Sequence, residues 1–154
     1  MRIYLPLTAR ELSAPHISAR LAHGVTPALQ SAVPEENDEG YELISSLAAA
    51  DDSLRLIGNS DDECLRRIVV AADVDTDLIG TPASGSQTLP TQIMLLGEIS
   101  WDKVAAIHVD EPGFEELVRA AIAGDEAAFV DTGDIDMLWY DPTELEQLIA
   151  ELNQ

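Results

Sequence analysis

The chain has a single cysteine, Cys64, and a single lysine, Lys103, and aromatic residues make up only 5% of its 154 positions. One cysteine excludes an intramolecular disulfide framework and a multi-cysteine zinc site. Cys64 follows Asp61, Asp62 and Glu63, whose charge disfavours the thiolate, so a reactive nucleophile is not expected there. No run approaches the roughly 20 apolar residues of a membrane span. The opening MRIYLPLTAREL lacks the apolar core and small-residue cleavage site of a signal peptide. The expectation is a cytoplasmic protein. Phosphate-cradling glycine loops are missing too: Gly80, Gly85 and Gly97 fit neither dinucleotide nor P-loop spacing, and Ser84-Gly85-Ser86 is not a nucleophile elbow. The sequence assigns no catalytic, cofactor-binding or metal-binding residue.

Bases are scarce and acids are not. Eight Lys and Arg stand against 29 Asp and Glu, a formal net charge of −21. Acidic groups run from Glu35-Glu36 through Asp51-Asp52, Asp61-Asp62-Glu63 and Glu115-Glu116 to Glu151, so the charge belongs to a surface and not to a tail. Nucleic-acid phosphates and anionic membranes would meet a repulsive field, and neither is expected as a direct partner; a basic protein is. A nucleic-acid mimic is a special case that needs carboxylates aligned on one face. Oligomeric state is not readable. With 46% hydrophobic residues the chain has the composition of a folded protein, and its length fits one domain, residues 1–154.

Patterning sets the expected elements. Ile3-Tyr4-Leu5-Pro6-Leu7 reads as a strand with Pro6 at its end or on an edge. Thr8 and Glu11 have capping-box spacing, which predicts a helix over about 9–22 closed by Gly24. Val25-Thr26-Pro27-Ala28-Leu29 reads as a turn or helix start. Tyr41, Ile44, Leu47, Ala48, Leu54 and Ile57 recur at helical spacing across 38–57. Ile68-Val69-Val70-Ala71-Ala72 suits a strand covered on both faces. Ile93–Leu96, Ala105–Val109 and Met137–Tyr140 read as further strands, with one helical turn at Ser100-Trp101-Asp102-Lys103. A helix over 112–123 starts at Pro112 and stops at Gly124, and Asp141-Pro142-Thr143-Glu144 caps the last one. The expected class is α/β or α+β: a mixed sheet of about five strands flanked by helices.

Chemistry has few candidates. Asp73, Asp75 and Asp77 follow the apolar strand at alternate positions, and carboxylates so placed can converge on Mg²⁺ or Ca²⁺. An EF-hand needs glycine and glutamate where Leu78 and Ser84 stand. The stretch also resembles the D-x-D-x-T/V motif of haloacid-dehalogenase-like phosphatases, but Asp77 occupies the last place and Lys103 is the only lysine for the later motif. Asp73, Asp110 and Asp141 each follow a strand, and parallel strands would bring them to one sheet edge. N-capping alone accounts for that pattern. His16 and His23 are too far apart to chelate as an i, i+4 pair, and His108 sits inside an apolar strand. Trp101, Trp139 and Tyr140 suit either core or interface, and Trp139 and Tyr140 point to opposite strand faces. The leading expectation is an interaction or regulatory domain with an acidic surface. The alternative is a small divalent-metal hydrolase using Asp73, Asp75 or Asp77 with Asp110 or Asp141.

Six stretches carry a whole-chain resemblance: 2–6, 25–29, 53–56, 66–73, 104–110 and 138–140. In these, in this order, the chain resembles a small actinobacterial family of uncharacterised proteins. The resemblance implies a bacterial, cytoplasmic, single-domain protein, and it assigns no activity and no residue roles.

Overall fold

A computed structural model describes residues 1–82 and 88–153. In chain order the strands and helices are β1 (Arg2–Leu7), β2 (His16–Ile17), β3 (Arg20–Gly24), α1 (Pro27–Ala32), α2 (Asp38–Gly58), β4 (Ile68–Asp73), β5 (Ile79–Gly80), β6 (Gln92–Leu95), β7 (Ile99–Ser100), β8 (Val104–Asp110), α3 (Glu115–Ile122), α4 (Glu126–Asp131), β9 (Met137–Tyr140) and α5 (Leu145–Leu152). Seven strands form one sheet in the order β5-β6-β3-β1-β4-β8-β9, and β2 pairs with β7 as a small ribbon. Every pair is antiparallel, where a mixed sheet of about five strands was expected. The fold is α+β, with the sheet covered on both faces.

Strand alternation sorts the core. Ile3, Leu5 and Leu7 of β1 join Ile68, Val70 and Ala72 of β4 and Ile107 and Val109 of β8 on one face, under Leu12, the β2–β7 ribbon and Leu148 of α5. Tyr4, Val69, Ala71 and Ala106 point the other way, against Ala49 and Ala50 of α2. One register shift breaks the pattern. Ala71 pairs with Ala106 but Ala72 pairs with Val104, so the extra residue, Ala105, turns Val104 back into the first core. A third cluster, Leu54 with Val118, Ala121, Ala128 and Ile135, ties α2 to α3 and α4.

The expected helix over 9–22 is absent. Glu11 does accept from the Thr8 amide at 3.1 Å, but the box starts only a 3-10 turn over Ala9–Ser13. Pro15 forces Ala14 out of the helical region, to φ −74° and ψ 149°. The chain then enters β2 and β3. Pro6 lies inside the central strand β1, not on an edge. It is tolerated because β3 pairs β1 only at Ile3 and Tyr4, and the Pro6 carbonyl instead accepts from Arg20 Nη1 at 2.9 Å. Helix α3 begins at Glu115, after Gly113 at φ +105°, so Pro112 lies in a turn with Gly113 and is not the first helical residue. Gly124, at φ +104°, ends that helix as expected, and Asp125 caps α4.

Candidate functional site

The strand-end aspartates do not converge. Because β4, β8 and β9 are antiparallel to their neighbours, Asp110 lies at the opposite end of the sheet from Asp73 and Asp141. Asp73 is exposed and binds Arg2 at 2.8 and 3.0 Å. Asp75 precedes a 3-10 turn at Thr76–Leu78 that contains Asp77. Asp141 accepts from the Thr143 amide at 3.0 Å while Glu144 reaches back to the Asp141 amide, the capping box that the sequence predicts. Asp110 is buried and its carboxylate is held by Arg67. Among the described residues no three His, Cys, Asp or Glu are grouped so as to hold a metal ion. Ser84-Gly85-Ser86 lies outside the described residues.

The histidines divide by environment. His16 is exposed in β2. His23 is fully buried between Asp52 Oδ2 at 2.5 Å and Thr91 Oγ1 at 2.7 Å, and Asp52 also binds Arg55 at 2.7 Å. This chain pins α2 to β3 and to the segment before β6; sequence reasoning missed it, because its members lie 29 and 68 positions from His23. With no surface of its own, His23 meets no ligand directly. Half-buried His108 sits opposite Trp139 on the α2 side of the sheet, and burial lowers its pKa. Burial, helped by Asp62 and Glu115, raises the Cys64 thiol, in the direction that its acidic neighbours suggest.

The outer edge of β9 is the most unusual surface. Glu111 N–H donates to the Asp136 carbonyl at 2.9 Å. By the alternation of an antiparallel ladder, Leu138 and Tyr140 then bond to β8, and the backbone groups of Met137 and Trp139 face outward. Natural edge strands are blunted by shortness, charged side chains, proline, a bulge or a covering element; β9 is short, at four residues, but carries no charge, proline or bulge of its own. Here the edge reads Met-Leu-Trp-Tyr, with Trp139 59% and Leu138 38% exposed. Tyr140 instead packs into the first core, and its hydroxyl donates to Glu151. From residue 120 to residue 154 there is no Lys or Arg, and there are nine Asp or Glu. An apolar strand with open hydrogen-bonding groups therefore sits in a purely acidic stretch. The composition of that stretch was readable from sequence; that β9 ends the sheet was not.

A model described as a family of unknown function, DUF6912, matches residues 1–149, from β1 into α5. The chain belongs to that family. No curated protein and no solved structure matches it. The DUF6912 match takes in the whole sheet, the β9 edge and the Arg67–Asp110 pair. Among the described residues no helix is long and apolar enough to cross a membrane.

Proposed function

We propose that the protein is an interaction domain that captures an extended, Lys- or Arg-bearing segment of a partner protein along the free edge of β9. The observation that carries this reading is the apolar edge strand, without a charge, proline or bulge of its own, inside a stretch with acids and no bases. Strand addition would pair the outward groups of Met137 and Trp139 with the incoming backbone, and alternate side chains would lie against Trp139. Asp134, Asp136, Asp141 and Glu144 flank the strand and favour basic residues in the segment. A second copy of the chain is the less favoured occupant, because it brings the same acidic flank and the same net charge of −21. That charge also supports the reading that nucleic acid and anionic membranes are not direct partners. The lone cysteine fits a cytoplasmic setting.

A synthetic peptide of alternating lysine and valine tests the proposal, with a glutamate–valine peptide as its control. Binding should protect the Met137 and Trp139 amides from hydrogen exchange, saturate at low salt and weaken at high salt. The acidic peptide should leave both amides unchanged, and Trp139→Ala should weaken binding about tenfold or more, as for a buried aromatic anchor. Diffuse shifts over the acidic surface with no protection at Met137 and Trp139 would overturn the reading. So would self-association through β9 that excludes the peptide.

A further inference from the structure

The two faces of the β9 edge differ in charge. Residues paired across neighbouring strands share a face, so the row Val69–His108–Trp139 puts Trp139 on the α2 side. Met137, two residues earlier, packs against the second core cluster on that same side. The rows Ile68–Val109–Leu138 and Val70–Ile107–Tyr140 put Leu138 and Tyr140 on the α5 side.

Around Trp139 the α2 side is uncharged. Burial alone lowers the pKa of His108, so the imidazole opposite Trp139 is neutral at pH 7 and no charged side chain acts on it. The α5 side is acidic. Glu151 accepts from the Tyr140 hydroxyl at 3.1 Å and from Gln147, one turn back along α5, at 3.4 Å. Glu144, before α5, accepts from the amide of Asp141, the residue that follows β9. Among the described residues Arg66 is the one base that acts on Tyr140, and its Nε is engaged by the Asp110 carbonyl. Two carboxylates therefore stand against one guanidinium on that side. A carboxylate has about four acceptor sites, so Glu151, with two neutral donors, can still take an ammonium or guanidinium.

Resting on strand capture at β9, we infer that the captured segment is two-sided, with large apolar side chains opposite Met137 and Trp139 and lysine or arginine opposite Leu138 and Tyr140, where Glu151 receives them. If the segment adds antiparallel, as every other pair in the sheet does, the places opposite Leu138 and Tyr140 are the non-hydrogen-bonded ones, where side chains approach most closely. A one-residue slip would put the bases against Trp139 and the apolar groups against Glu151. Glu151 thus sets the register as well as the charge of the partner.

Double-mutant cycles between protein and peptide test the arrangement, with the alternating lysine–valine peptide as probe. One central lysine is replaced by glutamine and, separately, one central valine by serine. Each peptide is titrated against the wild type, Trp139→Ala, Glu151→Gln and Glu35→Gln, the last on the exposed loop before α2. Glutamine at 151 keeps an acceptor for the Tyr140 hydroxyl, so that variant removes the charge alone. Losing the lysine should cost roughly threefold less affinity in Glu151→Gln than in the wild type, the scale of an exposed ion pair. Losing the valine should cost roughly fivefold less in Trp139→Ala. The crossed combinations and Glu35→Gln should show no coupling. Lysine coupled to Trp139, valine coupled to Glu151, or lysine coupled equally to Glu35 and Glu151 would overturn the inference. Protected Met137 and Trp139 amides with no coupling at either residue would overturn it and leave strand capture standing. Absence of that protection would overturn strand capture, and this inference with it.

Discussion

Arg67 and Asp110 form a two-point ion pair in the interior of the protein, with guanidinium Nε 2.9 Å from Asp110 Oδ2 and Nη2 3.0 Å from Oδ1. Both side chains are essentially without solvent, at 2% and 1% exposure. The Arg67 amide also donates to Asp110, and Nη2 reaches the Thr132 carbonyl at 2.9 Å. The pair thereby joins β4, β8 and the turn after α4.

Breaking that pair from one side leaves a buried charge without its partner. Arg67→Met should lower stability in urea unfolding by about 3–5 kcal/mol. The double variant Arg67→Met with Asp110→Leu should recover a large part of the loss, since well-packed apolar replacements of buried ion pairs are often neutral. A single-variant loss below about 1 kcal/mol would show that water reaches the site.

Asp51 and Asp52 are neighbours in α2 with opposite effects on stability. Burial raises the Asp51 carboxyl against the opposing pull of Arg67 and Arg55. Its folded state therefore holds the proton more tightly than the unfolded chain, and ionising it at neutral pH lowers stability. Asp51→Asn should raise the midpoint at pH 7, with the gain vanishing below the ordinary aspartate value of 3.8. Burial also works to raise Asp52, but hydrogen bonds and charge from His23 and Arg55 outweigh it and lower the carboxyl. Its stabilisation is present above the unfolded value and is lost as pH falls through the depressed folded value. Asp52→Asn should thus destabilise at pH 7 and lose that effect in acid. Paired pH–stability profiles measure both signs; profiles of the same sign for the two variants would refute the assignment.

Two buried serines of α2 make a second contrast. Ser53 Oγ donates to the Leu7 carbonyl at 2.7 Å and accepts from the Ile68 amide at 2.9 Å, completing the rung between β1 and β4. Ser53→Ala strands both backbone groups, at about 1–3 kcal/mol for each. Ser45 Oγ is buried with no hydrogen-bond partner among the described residues. Ser45→Ala removes an unsatisfied hydroxyl and should be neutral or stabilising by up to about 1 kcal/mol. Thermal or urea unfolding of the two variants should differ in sign or in size by that margin.

Salt should stabilise the protein without site binding. With a net charge of −21, carboxylate repulsion works against the compact state and is screened by any electrolyte. Mg²⁺, Mn²⁺ and Ca²⁺ should raise the melting midpoint no further than NaCl does at equal ionic strength, and Asp73→Asn should leave the response intact. A saturating rise specific to one divalent ion, abolished by Asp73→Asn, would establish the metal site that the antiparallel sheet does not assemble.

Whatever depends on near neighbours along the chain was legible in the residues. The helical spacing of Tyr41, Leu54 and Ile57 marks α2, the apolar run at Ile68–Ala72 marks β4, and the Asp141–Glu144 box marks the start of the last helical segment. The Thr8–Glu11 box was equally legible but misled, because Pro15 stops the turn and pairing with β1 and β6 makes a strand of Arg20–Gly24. The acidic surplus was legible as composition. Tertiary structure alone decided how the charges are distributed: Asp110 onto Arg67 and Asp52 onto His23. It also decided that β9 ends the sheet and that antiparallel pairing sends Asp110 away from Asp73. The physical reason is range. Helix periodicity and capping act over three or four residues, whereas strand order and ion pairing join groups that have no relation along the chain until it folds.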